Sequence, residues 1–320
     1  MITKVQKKLR YDVDFNKLDL ELIEIDTVIP YNMYIRQDDG YVIIVKAGTL
    51  IDEKVYKILL GHNIYISRKD RGKENMQCKN ILEYISAAKD DSNYCIKLLY
   101  KMNDKFFEKF LNSKNYNLDP EDVDGLVKSI VLLVRHNIGF VKDNMVNFRN
   151  DSDLAHHSLH VCIYAVNLGA VLGLNDQQLL DLGIAGYIQD LGLKKIDNSV
   201  VSKDSPLSKE EVESIHRHTI LSVQIAQHNK IHRPDIIDAI RHHHENYDGS
   251  GYPDQLNSDH ISKYAAILSI CDVFDALTSV RPYREGKTSF EALTFMMKDP
   301  SMMHRFNHQY IKVFIRTLLK

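Results

Sequence analysis

From about Asn80 onward the chain repeats apolar residues at three- and four-residue steps, the spacing that gives a helix one oily face. Between Val123 and Met145 the stripe is Val127, Ile130, Val131, Val134, Ile138 and Val141. Val161, Tyr164, Ala165, Leu168, Val171 and Leu172 repeat it and stop at Gly173. Leu118-Asp119-Pro120-Glu121 reads as a helix start, because proline is tolerated in the first turn, where its missing N–H would have no partner anyway. Gln177 to Ile188, Ser208 to His228, Pro234 to His244 and Tyr264 to Ser279 read as helices in the same way. The second part of the chain, roughly 80 to 320, is therefore expected to be all α, its stripes packed together as a bundle.

The first seventy residues follow a different rule. Val42-Ile43-Ile44-Val45 is a β-branched run after the turn residues Asp38-Asp39-Gly40. Lys46 to Thr49 leads into a short helical stretch with Val55, Ile58 and Leu59, and Ile64-Tyr65-Ile66 returns as a strand. Arg68-Lys69-Asp70-Arg71-Gly72-Lys73 reads as a solvated linker. The expected architecture is mainly α. A small β-rich (α+β) module over 1–70 is followed by a helical linker and the start of the bundle over 71–150, then by a helical domain over 151–320. The module reads as a regulatory or docking unit.

Composition removes several classes. A net charge of −2 and a pI near 6.7 argue against binding a nucleic-acid polymer. No apolar run approaches the ~18 residues of a membrane span, and the N-terminus lacks an apolar signal core, so a soluble cytoplasmic protein is expected. Cys78, Cys95, Cys162 and Cys271 show no CxxC spacing, which excludes a zinc ribbon or disulfide framework. Histidine is the outlier: eleven of the fifteen lie between His156 and His260, so the chemistry is expected there.

Within that region His243-His244-Glu245-Asn246-Tyr247-Asp248-Gly249-Ser250-Gly251-Tyr252-Pro253 serves no ordinary structural need. Two imidazoles at a helix end precede a glycine-rich turn and an extended exit. Other candidates fall on separate helices: His157 with Asp153 one turn earlier, Asp190 at the end of an apolar helix, His218, and Asp272 inside Ile267-Leu268-Ser269-Ile270-Cys271-Asp272-Val273-Phe274. A carboxylate amid apolar neighbours costs several kcal/mol unless it is paired or bound to metal. Imidazole and carboxylate together suit iron, manganese or zinc. His156, His160, His216 and His242 read as bystanders.

Taken together these residues resemble the HD-GYP family, a branch of the HD phosphohydrolases that cleaves the bacterial messenger cyclic di-GMP. The similarity covers roughly 153 to 320. It rests on His157-Ser158, on His243-His244-Glu245 with Asp248-Gly249-Ser250-Gly251-Tyr252-Pro253, and on Cys271 to Ser279 followed by Arg281-Pro282-Tyr283-Arg284. The resemblance implies an HD-type bundle and two divalent metal ions, iron or manganese. His157, Asp190, His218, His243, His244 and Asp272 would be the ligands, with Asp190 between the ions and Asp190 and Asp272 serving catalysis. Asp153 stands where some members carry a glutamate for a third ion; aspartate is one methylene shorter, which argues against one here. Arg281, Arg284 and Tyr252 would contact the cyclic dinucleotide. Signalling proteins are expected partners through the N-terminal module or the Gly-Tyr-Pro loop.

The chain departs from the family where the family is named. The His-Asp pair reads Gln189-Asp190, and the lysine expected three residues on is Leu193. Gln189 can offer a carbonyl oxygen as a ligand, a weaker donor than imidazole to these metals, and Lys194 is the nearest substitute cation. The implied activity is hydrolysis of cyclic di-GMP to pGpG or GMP. The alternative is a weak or inactive member acting as a cyclic di-GMP sensor or interaction module.

Overall fold

The computed structural model describes residues 15–20, 23, 25, 27–29, 31–37, 40–70, 85–86, 89, 92–137, 139–144, 153–203, 205–280 and 285–319. The chain forms two compact units, Met1–Asp90 and Asp91–Lys320.

The first unit contains β1 (Phe15–Lys17), β2 (Thr27–Val28), β3 (Met33–Gln37), β4 (Gly40–Val45), β5 (Leu50–Ile51), α1 (Glu53–Leu60) and β6 (Ile64–Ser67). Four strands form an antiparallel sheet in the order β1-β6-β3-β4, and β2 pairs with β5. Register follows the alternation of side chains: Met33 lies opposite both Ile66 and Val45, and all three are buried. Leu18, Ile29, Tyr31, Ile51, Leu59 and Ile64 complete that core. Asp52 caps α1 by accepting the Val55 N–H at 2.7 Å. Of the expected linker, Arg68–Asp70 forms a short 3-10 turn, and Arg71 to Lys73 lie outside the described residues.

The second unit is helical: α2 (Ser92–Asn112), α3 (Pro120–His136), α4 (Phe140–Asn144), α5 (Leu154–Val171), α6 (Asp176–Ile188), α7 (Asn198–Val201), α8 (Lys209–His216), α9 (His218–His228), α10 (Pro234–His242), α11 (Lys263–Thr278), α12 (Ser289–Lys298) and α13 (His308–Leu319). Three of these are apolar nearly all round and form the centre: α5 from Ser158 to Gly169, α6 from Leu179 to Ile188, and most of α11. α5 packs on α6 and α11, while α3 and α10 cover α6. Tyr164, Phe274 and Phe314 meet edge to face with ring centroids 5.1–6.1 Å apart, joining α5, α11 and α13.

Two expected helices are broken. The stripe from Val123 ends at His136, where the Asn137 side chain accepts the Gly139 N–H at 2.9 Å and turns the chain before α4; Ile138 and Met145 lie outside the described residues. Ser208 to His228 divides at Arg217 into α8 and α9. There His218 Nδ1 bonds the Ile215 carbonyl at 2.7 Å and Thr219 Oγ1 donates to the His216 carbonyl at 3.2 Å. Side chains have taken carbonyls that a continuous helix would use for its own backbone.

Candidate metal centre

Five segments of the helical unit converge on one cluster. Asp153 caps α5 by accepting the His156 N–H at 2.8 Å, which sets His157 in the first turn. α6 ends at Ile188, so Gln189 and Asp190 form a buried turn before the 3-10 stretch Leu191–Lys195. Gly192 lets this turn sit against the start of α9: a Cβ there would lie 2.7 Å from the Ser222 nitrogen and nearer still to the His218 carbonyl. His218 opens α9, His243 and His244 follow α10, and Asp272 and Asp275 lie three residues apart on α11, hence on one face.

Asp190 stands between two groups of ligand-type atoms. Its Oδ2 lies 3.1 Å from His157 Nε2, and its Oδ1 lies 3.1 Å from His218 Nε2 and 3.4 Å from His243 Nε2. Asp272 Oδ1 is 3.0 Å from His157 Nε2, and its Oδ2 is 3.8 Å from His244 Nδ1. The sets Asp190, His218, His243, His244 and His157, Asp190, Asp272 each gather ligand atoms within 4.8 Å of one another. They share one carboxylate.

The chemistry of these donors fits divalent cations. His218 Nδ1 bonds the Ile215 carbonyl at 2.7 Å, His243 Nδ1 bonds the Ile240 carbonyl at 2.8 Å, and His157 Nδ1 bonds Asp275 Oδ2 at 2.8 Å. Each ring therefore spends its Nδ1–H on an acceptor behind it and turns an Nε2 lone pair toward carboxylate oxygens, as metal-binding imidazoles do. Asp190 Oδ1 and Gln189 Oε1 are buried without a hydrogen-bond partner. Acceptors facing acceptors in a buried pocket need a cation or extra protons. Without metal the pocket supplies protons. Burial by itself would lower His157, yet Asp190, Asp272 and Asp275 outweigh it and hold the ring well above the ordinary histidine value. Burial would likewise raise Asp190, but His157, His218 and His243 keep it well below the carboxylate range. His244 is pushed the other way, by burial and then by His243 and His218, and stays neutral.

Gln189 adjoins the three-residue group. Its side chain is buried, and Nε2 donates to Asp272 Oδ1 at 3.2 Å. The Gly-Tyr-Pro segment covers the other group. Tyr252 stacks on His216 with centroids 3.6 Å apart at 8°, and its ring centre lies 4.8 Å from that of His244. The loop is held from below by Glu245, whose carboxylate accepts the Asp254 and Leu256 N–H groups at 2.7 and 3.0 Å. Arg241 adds a two-pronged contact to Asp254 at 2.6 and 2.8 Å. Gly251 is obligatory, since a Cβ would come within 2.5 Å of both Glu245 Cα and the His244 carbonyl oxygen.

Several expectations are corrected. Asp153 is a helix cap with its side chain 64% exposed, outside both groups, because its carboxylate is engaged by the start of α5. Lys194 lines a separate groove with Lys114, Lys195 and His228, since the 3-10 turn carries it toward the far end of α9. Of the histidines read as bystanders, His160 bonds Asp275 at 2.9 Å and His216 stacks on Tyr252. His242 sits between Asp238 and Asp254, 2.8 Å from each. Arg281 and Arg284 lie outside the described residues. Asp275 was missed, although its place in the same apolar helix made it as costly to bury as Asp272.

A family model for the HD domain matches residues 141–304, and that span contains every member of both groups. The chain belongs to the HD-domain family. It is 32% identical over 155 residues, 47% of its length, to the cyclic di-GMP phosphodiesterase PA4108 of Pseudomonas aeruginosa, covering 37% of that protein. It is 36% identical over 127 residues, 39% of its length, to the cyclic di-GMP phosphodiesterase response regulator RpfG of Xanthomonas campestris pv. campestris, covering 33%. The 3′3′-cGAMP-specific phosphodiesterase 3 of Vibrio cholerae is 30% identical over 142 residues, 44% of this chain and 31% of that one. The chain thus spans about a third of the length of these curated relatives. Among solved structures, Bd1817, described as an HDG"Y"P protein from Bdellovibrio bacteriovorus, aligns with a TM-score of 0.62 at 19% identity, over 96% of this chain and 100% of that one. The HD-GYP resemblance and the mainly helical fold with a small N-terminal sheet are thereby upheld. Among the described residues, no helix is long and apolar enough to cross a membrane.

Proposed function

We propose that this chain is a metal-dependent phosphodiesterase that hydrolyses cyclic di-GMP to pGpG or GMP in the cytoplasm. The observation that carries the reading is the shared carboxylate: Asp190 turns one oxygen to His157 and the other to His218 and His243. The names of the relatives point to cyclic dinucleotides. His218, His243, His244 and Asp190 would hold one divalent ion, iron or manganese. His157, Asp190 and Asp272, with the Gln189 carbonyl, would hold a second. When bound, such ions supply Lewis acidity to the phosphoryl group and lower the pKa of water.

The remaining chemistry belongs to the chain. Tyr252 lies beside the cluster between His216 and His244 and would shape the pocket with its edge, and its phenol keeps its proton there: burial, then Asp190 and Asp272, push it up. Arg281 and Arg284 follow α11 closely in sequence and would bind phosphate or a guanine edge with paired donors. Residues 1–70 would serve as a regulatory or docking module for a signalling partner, 71–150 as the entry to the bundle, and 151–320 as the hydrolytic domain.

Purified protein loaded with Mn²⁺ or, anaerobically, Fe²⁺ is expected to convert cyclic di-GMP to linear product on a chromatographic assay. 3′3′-cGAMP is the comparison substrate. Binding of cyclic di-GMP without turnover in either metal would reject the enzyme and favour a sensor. That second reading rests on Gln189, which spends its amide on Asp272 where the family places a histidine.

A further inference from the structure

Behind His157 a line of buried polar groups runs away from the cluster. Asp275 is fully buried, with Oδ2 2.8 Å from His157 Nδ1 and Oδ1 2.9 Å from His160 Nδ1. Ser279 Oγ adds a hydrogen bond to Oδ2 at 3.2 Å. His160, also buried, meets the Tyr100 hydroxyl through Nε2 at 2.5 Å. Tyr100 belongs to α2, the first helix of the second unit.

One arrangement of protons satisfies these contacts while leaving His157 free to bind a cation. Burial, then Asp275 and Asp104, push the Tyr100 phenol up, so it keeps its proton and donates to His160 Nε2. His160 must then carry its proton on Nδ1 and donate to Asp275. Asp275 turns one oxygen to each ring, Oδ1 to His160 and Oδ2 to His157. As an acceptor on both oxygens it fixes the proton of His157 on Nδ1, and Nε2 faces Asp190 and Asp272 with its lone pair. Neither carbonyl behind His218 and His243 carries a formal charge, so His157 alone of these three is backed by a carboxylate.

We propose that Asp275, backed by His160 and Tyr100, is a positioning residue that sets the tautomer and aim of His157 and so determines metal affinity at the group formed by His157, Asp190 and Asp272. This rests on the metal-binding part of the proposed function, and it adds a specific asymmetry. The group with three ligands depends on the Tyr100 line; the group around His218, His243 and His244 does not.

The test is titration with Mn²⁺ of wild type, Asp275→Asn and Tyr100→Phe, counting equivalents and their separate affinities, with circular dichroism as the check on folding. Asp275→Asn is expected to weaken one equivalent by roughly 10- to 100-fold and leave the other within about twofold, as loss of a partner behind a ligand does elsewhere. Tyr100→Phe removes the hydroxyl that meets His160 and should weaken the same equivalent by a smaller factor, and it serves as the readout if Asp275→Asn does not fold. Unchanged affinity for both equivalents in a folded Asp275→Asn or Tyr100→Phe protein overturns the assignment, as does equal weakening of both. Wild type that takes up no Mn²⁺ overturns the metal reading itself, and the two failures are thereby told apart.

Discussion

Gln189→His restores the residue type the family carries beside Asp190, and its effect can be worked from the environment of the amide. The side chain is 1% exposed, its Nε2 is spent on Asp272 Oδ1 at 3.2 Å, and its Oε1 has no partner. A buried acceptor left unsatisfied costs about 1–3 kcal/mol. An imidazole of similar size would replace that oxygen with a ring nitrogen, the better donor to iron, manganese or zinc. Residues one layer behind a ligand already change metal affinity ~10–100-fold. A donor in the coordination sphere should therefore reach the top of that range, about 100-fold, equivalent to ~2.8 kcal/mol. Calorimetric titration with Mn²⁺ should find one tight and one weak equivalent in wild type, and two tight equivalents in Gln189→His. Cyclic di-GMP turnover at limiting metal should rise in parallel. If the weaker equivalent binds the folded variant no more tightly than wild type, the amide is not what limits the site, and the reasoning fails.

Three other perturbations probe different parts of the centre. Asp190→Asn should remove both equivalents in elemental analysis, because both groups use that carboxylate; in wild type, Mn²⁺ at a hundred times Kd should add about 2.7 kcal/mol of stability per ion, and in the variant nothing. Gly251→Ala forces a Cβ to within 2.5 Å of Glu245 Cα and of the His244 carbonyl oxygen, a misfit worth about 1–3 kcal/mol; it should lower the thermal midpoint by roughly 2–12 °C and raise KM, and an unchanged midpoint with normal KM would show that the turn tolerates a side chain. Metal uptake should release protons and weaken as pH falls. Metal-free His157 and His218 are both held above the ordinary histidine value, so their stabilising ion pairs are complete below the unfolded pKa of about 6.5 and fade as pH rises through the folded values; metal must displace those protons. Binding heats that do not vary with buffer ionisation enthalpy would contradict this.

How far the molecule was legible depended on whether a residue's constraint is local. The apolar stripe on α3 announces itself because burial selects residues at the helical period, and the nearly continuous apolar runs of α5, α6 and α11 mark helices buried on all sides. The break at Arg217 does not, because its cause is a pair of side-chain bonds to the carbonyls of Ile215 and His216 that read as nothing in composition. That break also aims a candidate ligand. His218 Nδ1 takes the carbonyl three residues back, and His243 Nδ1 does the same to Ile240 at the end of α10. In both places the bond that aims a ring at Asp190 competes with continuation of the helix, so ligand orientation and helix termination are one event. Asp153 is the complementary case: position i−4 from His157 fits a ligand and a cap equally well, and in the structure it caps α5 with its side chain exposed. Asp275 could have been found. The burial cost that singled out Asp272 falls equally on a second carboxylate three residues along the same apolar helix. Two such charges on one face must each be answered: His160 and His157 Nδ1 answer Asp275, while Asp272 shares His157 Nε2 with Asp190 and takes the Gln189 amide.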